Sequence, residues 1–335
     1  MNPVAQTLSS ITLGPSSSIE TITMFPLLGP PDVEAPASYL TLDQAIADGW
    51  TEITEVSEQG SVPELRVFNK GAQPVFILDG EELVGAKQNR VVNLSILVPA
   101  ATRLTIPVSC VEAGRWRSRS RAFSSAPRTQ YAAGRAKRMA QVTASMQMSG
   151  ARSSDQAEVW ADIAAKSERL EARSSTGAME EMFTVHADFA DRCVDALLPI
   201  ERQCGALFLI GGRVVGFDLF DRASTLRRLL PKLVRSVAVD ALDAGAIFGS
   251  DEFPAPDSGA LPVRKWDERK SGQRQPSVSL RTKVAEHFLE RTCGTEVHEV
   301  PAVGLGRDVR LFSALISGAA LNVDGALLHL SAFHN

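Results

Sequence analysis

Along the first third of the chain, apolar and polar residues fall in short blocks divided by Pro, Gly and Asn, the spacing of strands rather than helices. "ETITMFPLL" is a β-branched and apolar run, and "WTEITEV" alternates around Ile53 and Val56 as a half-buried strand does. Between them "TLDQAIADG" predicts a short helix, because Thr41 and Gln44 have capping-box spacing and Gly49 suits the C-terminal end. "ELRVFNKGAQPVFILDGEELVG" then strings strands together, with tight turns expected at Asn69 to Gly71 and at Asp79-Gly80. Links this short force antiparallel pairing, since a parallel crossover needs a dozen or so residues. "QNRVVNLSILV" and "TRLTIPVSCV" predict two further strands joined at Pro99 to Thr102.

After Gly114 the period changes. "GRWRSRSRAFSSAPRTQ" has few apolar anchors and reads as a Ser/Arg loop, followed by three stretches of helical spacing. These are "AAGRAKRMAQVTASMQM", "SDQAEVWADIAAKSERLEA" and "AMEEMFTVHADFADRCVDALL", the last with a break expected near Asp188. β-character returns in the Gly-Gly hairpin "GALFLIGGRVVGFDLF", which resembles "LDGEELVG" closely enough to raise the question of a duplicated unit. Leu226, Leu229, Leu230, Leu233, Val234, Val237 and Ala241 next make a long helical stripe that Pro231 is expected to kink or restart. A helix, "VSLRTKVAEHFLERT", and the strands "TEVHEVPAVG", "DVRLFSALI" and "GAALNVDGALLHLSAF" close the chain.

The fold class expected is therefore α+β, with antiparallel β-sheets from the N- and C-terminal parts and a central helical insert over about 117–200. Residues 1–18 are expected to be poorly ordered, 19–335 to form a single domain, and about 248–277, rich in Pro, Gly, Ser and charge, to be a flexible loop.

Composition adds a class. The apolar share of 44% and charged share of 22% are those of an ordinary globular chain, with a net charge of −4. No stretch nears the roughly 18 apolar residues of a membrane span, and the start lacks a secretory signal, so no membrane association and a cytoplasmic location are expected. Cys110, Cys193, Cys204 and Cys293 form no CxxC pair and the histidines are scattered, so no metal site is indicated and no cofactor can be named.

Candidate chemistry gathers in two segments. "GEELVGAKQNR" sets Glu81, Glu82, Lys87, Gln88, Asn89 and Arg90 between two apolar runs, and strand alternation should turn one of the two carboxylates inward. A solvated hairpin edge explains the same pattern. "CVEAGRW" brings Cys110, Glu112, Arg115 and Trp116 together; a thiol beside a carboxylate is not activated unless a cation such as Arg90 offsets it. From Ala113 to Ser154 there is no acidic residue against nine basic ones, an island suited to phosphate, as nucleic acid or as a smaller polyphosphate. Ser174 to Gly177 offers hydroxyls and amides for an anion or for helix capping.

Through "VSEQGSVPELRVFN", "PVFILDGEELVGAKQNRVVNLSILVP", "IPVSCVEAGRW", "DQAEVW" and "SSTGAM", the chain resembles the bacterial ARG and Rhodanese-Phosphatase-superfamily-associated protein domain family over roughly Ile19 to Phe333. The positions matching its signature are Gly80, Glu81, Glu82, Gly85, Lys87, Gln88, Arg90, Cys110, Glu112, Arg115 and Trp116. The resemblance carries no single reaction with it; the family's association with ADP-ribosylglycohydrolase genes implies NAD or ADP-ribose metabolism. The expectation is a site for a phosphorylated, nucleotide-type small molecule. Lys87, Arg90 and Arg115 would bind phosphate, Gln88 base or ribose, and Trp116 would stack. Glu82, Glu112 and Cys110 are the candidate catalytic groups. The alternative is a non-enzymatic interaction module whose Arg-rich segment binds nucleic acid or an acidic protein partner.

Overall fold

The computed structural model of the chain describes residues 2–248 and 276–335. The expected loop over about 248–277 lies almost wholly outside the described residues. The fold is α+β. Its first part runs α1 (Pro3–Leu8), β1 (Thr12–Leu13), β2 (Ser17–Ile19), β3 (Ile22–Leu28), β4 (Leu40–Thr41), α2 (Leu42–Ala47), β5 (Thr51–Glu55) and β6 (Glu64–Asn69). It continues through β7 (Val75–Ile77), β8 (Glu81–Gly85), β9 (Arg90–Val92), β10 (Ile96–Val98), β11 (Thr102–Cys110) and β12 (Ala122–Thr129). Four helices follow: α3 (Ala132–Ser149), α4 (Gln156–Arg169), α5 (Glu180–Val185) and α6 (Ala187–Ala196). The last part holds β13 (Gln203–Ile210), β14 (Arg213–Phe220), α7 (Ala223–Phe248), α8 (Val278–Cys293), β15 (Glu296–Pro301), β16 (Arg307–Phe312), β17 (Ile316–Val323) and β18 (Ala326–His334).

Six strands close into a barrel in the order β11-β6-β5-β12-β8-β9. Ile53, Val67, Leu83, Val92, Ile106 and Phe123 fill it, the inward-facing half of each strand's alternation. A nine-stranded sheet joins the two ends of the chain, because β3 pairs with β13 while β14 pairs with β18. β10, β7 and β4 make a small third sheet. The Asp79-Gly80 turn hands the chain from that small sheet into the barrel, since β7 pairs with β10 whereas β8 pairs with β9 and β12. Gly80 has φ +80°, and a Cβ there would lie 2.8 Å from Arg135 Cδ.

Several expectations change. Residues 3–19 are folded into α1, β1 and β2, because Val4 and Leu8 are buried in the core beneath the large sheet. "QNRVVNLSILV" is two strands in two sheets, β9 and β10, so no hairpin joins it to β11. The Ser/Arg stretch contains a barrel strand, β12, and the helical part starts at Ala132 rather than near 117. Phe123 and Ala126 are its buried anchors, and Arg128 is buried by ion pairing, which an apolar pattern cannot reveal. "LIGGRVVG" is a true hairpin, β13 to β14, but "LDGEELVG" is not, which removes the duplication. The capping box at Thr41 and Gln44 forms, and the break between α5 and α6 falls at His186, two residues before Asp188. α7 carries Pro231 within a single helix.

A buried ionic cluster joins the small sheet, α3 and the large sheet. Arg135 donates to both oxygens of Asp218, at 2.9 and 2.7 Å, and to Asp79 at 3.3 Å. Arg138 donates to the other Asp79 oxygen at 2.8 Å. All four side chains are buried, so each charge depends on its partners.

Candidate functional site

Arg90 begins β9 and pairs with Leu83 of β8 and Cys110 of β11, which puts the three side chains on the inner face at one end of the barrel. Arg90 is 0% exposed, yet its side chain makes no ion pair with a carboxylate among the described residues; Glu55 and Glu112 act on it only at a distance. Nη1 donates to Cys110 Sγ at 3.5 Å, an ordinary length for sulfur but a weak acceptor, and at a long 3.4 Å to the Asn89 carbonyl, while Nε and Nη2 have no hydrogen-bond partner among the described residues. Burial lowers its pKa, partly offset by Cys110 and nearby carboxylates. Trp116, 49% exposed, lies over it with the ring centre 5.9 Å from Cζ, and Lys87 Nζ sits 5.3 Å from the same ring. Lys87 is steadied there by the carbonyls of Glu58 and Gln59, each accepting from Nζ at 2.6 Å.

Cys110 donates to Gln88 Oε1 at 3.2 Å, and Gln88 Nε2 donates to the Glu112 carbonyl at 2.8 Å. Burial pushes the Cys110 thiol up in pKa despite the nearby Arg90 charge, so the resting form is the thiol. The missing activation that the sequence left open is thus not supplied.

Glu112 and Arg115 form a separate, closed lock. Arg115 donates to Glu112 through Nε at 2.8 Å and Nη2 at 2.6 Å, and to the carbonyls of Ala86 and Gly85 at 2.6 and 3.3 Å. Glu112 also accepts from Thr176 Oγ1 at 2.8 Å and from the Asn89 amide at 3.1 Å. Burial alone would raise its pKa; the Arg115, Thr176 and Asn89 hydrogen bonds outweigh that and lower it. The "SSTGAM" loop therefore docks on "CVEAGRW" instead of offering an open anion cradle. Arg115, expected to take phosphate, has its donors committed to holding the "GEELVGAKQNR" turn.

Both carboxylates of "EE" are buried, where alternation led one to expect a single inward one, because each is met by a buried cation, Lys232 of α7 for Glu81 and Arg128 of β12 for Glu82. Glu81 accepts from Lys232 of α7 at 2.5 Å. Glu82 faces away from Arg90, on the opposite side of the strand from Leu83, and accepts from Arg128 Nε at 2.5 Å. Its other oxygen, Oε1, has no partner among the described residues. Desolvation raises its pKa against the pull of Arg128, which favours the protonated carboxyl. The structure thus gathers Arg90, Cys110, Gln88, Lys87 and Trp116, sets Glu112 and Arg115 beside them as a brace, and places Glu82 apart.

The basic island does not form one surface. Arg115, Arg128, Arg135 and Arg138 are buried in ion pairs, Lys137 pairs with Asp162, and Arg152 donates to the Pro301 carbonyl. Arg117, Arg119 and Arg121 are exposed beside Trp116. The sequence marks Asp79 only as a turn residue and gives no sign of the Lys232 ion pairs or of the clamp that Asp79 and Asp218 make with Arg135; Lys232 is a single charge in an apolar helical stripe, which is the only signal it gives. Among the described residues no group of three or more His, Cys, Asp or Glu gathers as for a metal, and no helix is long and apolar enough to cross a membrane.

No curated protein and no solved structure matches the chain. A family model matches residues 10–333, a span that holds the barrel, both ends of the large sheet and every residue of the Arg90 and Glu112 clusters. On that match the chain belongs to the ARG and Rhodanese-Phosphatase-superfamily-associated Protein domain family.

Proposed function

We propose that the chain binds a phosphorylated, nucleotide-type small molecule at Arg90, with Lys87 beside it and Trp116 as a stacking cover. The observation that carries this reading is the state of Arg90: a fully buried guanidinium with two nitrogens lacking acceptors, under a half-exposed indole. Leaving such donors unsatisfied costs about 1–3 kcal/mol each, and an anion that reaches them recovers it as charge-assisted hydrogen bonds. Trp116 must swing aside for that contact, and its ring is then placed to stack on a base. Gln88 supplies a polar edge, and Glu112 with Arg115 holds the turn in register. The family's naming association with ADP-ribosylglycohydrolase supports ADP-ribose and NAD as the first ligands to try.

Titration of the folded chain with ADP-ribose, NAD and pyrophosphate, followed by calorimetry and thermal shift, tests this. A ligand at 100 times its Kd should stabilise the chain by about 2.7 kcal/mol. Arg90→Ala should abolish the response. Equal behaviour of wild type and variant towards all three ligands would sink the proposal.

The interaction-module alternative retains one supporting observation, the exposed Arg117, Arg119 and Arg121. Three phosphate contacts predict a slope of about −2 to −3 in log K against log salt for RNA or DNA. A flat salt response rejects it.

A further inference from the structure

Arg90 has a counterpart across the barrel. In the closed order β11-β6-β5-β12-β8-β9, strands β9 and β5 are diametrically opposite. Glu55 is the last residue of β5. It pairs with Leu65 of β6 and lies two residues beyond Ile53, and both of those apolar side chains fill the barrel, so alternation turns Glu55 inward as well. Leu65 in turn pairs with Ile106 of β11, just before that strand crosses over to β9, so Glu55 stands at the end of the barrel that holds Cys110 and Arg90.

The Glu55 carboxylate is tied to the same turn as Arg90, since Oε1 accepts from the Lys87 amide at 3.3 Å. Its other oxygen, Oε2, is buried and has no hydrogen-bond partner among the described residues. That oxygen lies against the Lys87 stem: a Cβ on Gly60 would sit 3.2 Å from Oε2 and 3.2 Å from Lys87 Cδ. The Glu55 charge works to raise the Arg90 pKa, yet the two groups form no ion pair. Two unclaimed donors, Nε and Nη2 of Arg90, and one unclaimed acceptor thus share the mouth of one barrel.

Buried polar groups that do not meet each other each need a partner from elsewhere. A phosphate without hydroxyls serves only the guanidinium, because its ionised oxygens cannot donate, and it brings more negative charge towards Glu55. A ligand with ionised oxygens on one side and a hydroxyl on the other serves both.

We propose that the Arg90 site selects a sugar phosphate, with Arg90 holding the phosphate and Glu55 Oε2 accepting from a sugar hydroxyl; this rests on the reading of Arg90 as an anion site. The hydroxyl-to-carboxylate bond is charge-assisted and forms only with a hydroxylated ligand, which makes Glu55 a specificity-determining residue. Repulsion between Glu55 and the phosphate adds to the selection, because every anion bears it and only a sugar phosphate offsets it.

Calorimetric titration of the full chain with ribose 5-phosphate and with methyl phosphate, a monoester without hydroxyls, tests this. Wild type should bind ribose 5-phosphate more tightly by about 10-fold or more. Glu55→Gln keeps an oxygen for the Lys87 amide and removes the charge. It should weaken ribose 5-phosphate by about 10-fold and leave methyl phosphate bound as tightly or more so. Equal affinity of the wild type for the two ligands, or a variant in which both move together, overturns the selectivity and leaves the anion site standing. Silence from both ligands in the wild type overturns the anion reading and this inference with it. The wild-type comparison holds even where the variant fails to fold.

Discussion

Replacing Arg90 by Met should make the protein more stable, and replacing Arg115 by Met should make it much less so, although the two arginines stand in adjoining segments. Arg90 carries two buried nitrogens without acceptors among the described residues, a long 3.4 Å contact to the Asn89 carbonyl and a bond to the weak acceptor Cys110 Sγ. Met keeps most of the stem volume and removes the charge. The change relieves about 1–3 kcal/mol per unsatisfied nitrogen and gives up about 0.5–2 kcal/mol of interaction with the Trp116 ring. Buried ions exchanged for apolar residues of similar volume commonly leave a gain of about 1–4 kcal/mol, and that is the range expected here. Arg115→Met, by contrast, strands the Glu112 carboxylate and the Ala86 and Gly85 carbonyls, at a cost of about 3–5 kcal/mol. Urea unfolding reads both, as a raised and a lowered midpoint at unchanged slope. An Arg90→Met chain less stable than wild type by more than about 1 kcal/mol would make Arg90 an internal strut and remove the main support for an anion site.

Acid should weaken the fold through Glu112 and Asp218: both have folded pKa values below their ordinary 4.5 and 3.8, so the stability they contribute is complete above those values and lost as pH falls through the folded ones. Glu82 has the opposite sign, its raised pKa favouring the fold while protonated, so stability should decline as pH rises through its folded value and Glu82→Gln should flatten that decline in a pH series of urea midpoints. Cys110 should alkylate with iodoacetamide at neutral pH more slowly than free cysteine until denaturant is added, and fast labelling of the native chain would contradict its buried thiol state. Gly80→Ala should cost about 1–2 kcal/mol from the positive φ alone, with more from the Arg135 stem, measured by the same unfolding curves.

Strands and helices with a clear period were legible: α2 with its capping box, the β13–β14 hairpin and α7 all follow from spacing, because one apolar face suffices to define them. What escaped was pairing between elements. Periodicity marks "QNRVVNLSILV" as extended but does not reveal that Asn93 to Ser95 divides it between two sheets. It likewise missed β12, where half the residues are Ser, Arg or Pro and burial comes from ion pairs made with Glu82 and Glu180 far along the chain. For the site, residue types and neighbourhood were readable, since Arg90 and Cys110 sit at strand ends that face each other. Their division of labour was not: Arg115 and Arg90 look alike as letters, and only the positions of acceptors separate a saturated guanidinium from an unclaimed one.

The nine-stranded sheet also sets an order of events during synthesis. β3 is made early, apolar on both faces, with Met24 on one and Phe25 on the other, but its partner β13 lies beyond the barrel and all four central helices. Every barrel strand, by comparison, has left the ribosome once Thr129 has. The barrel can close on a nascent chain while β3 still waits with its edge unpaired, the condition in which strands seek wrong partners. A chain stopped after α6 should therefore hold every barrel strand and leave one edge of β3 open, an edge that closes only as β13, and then β14 and β18, are added.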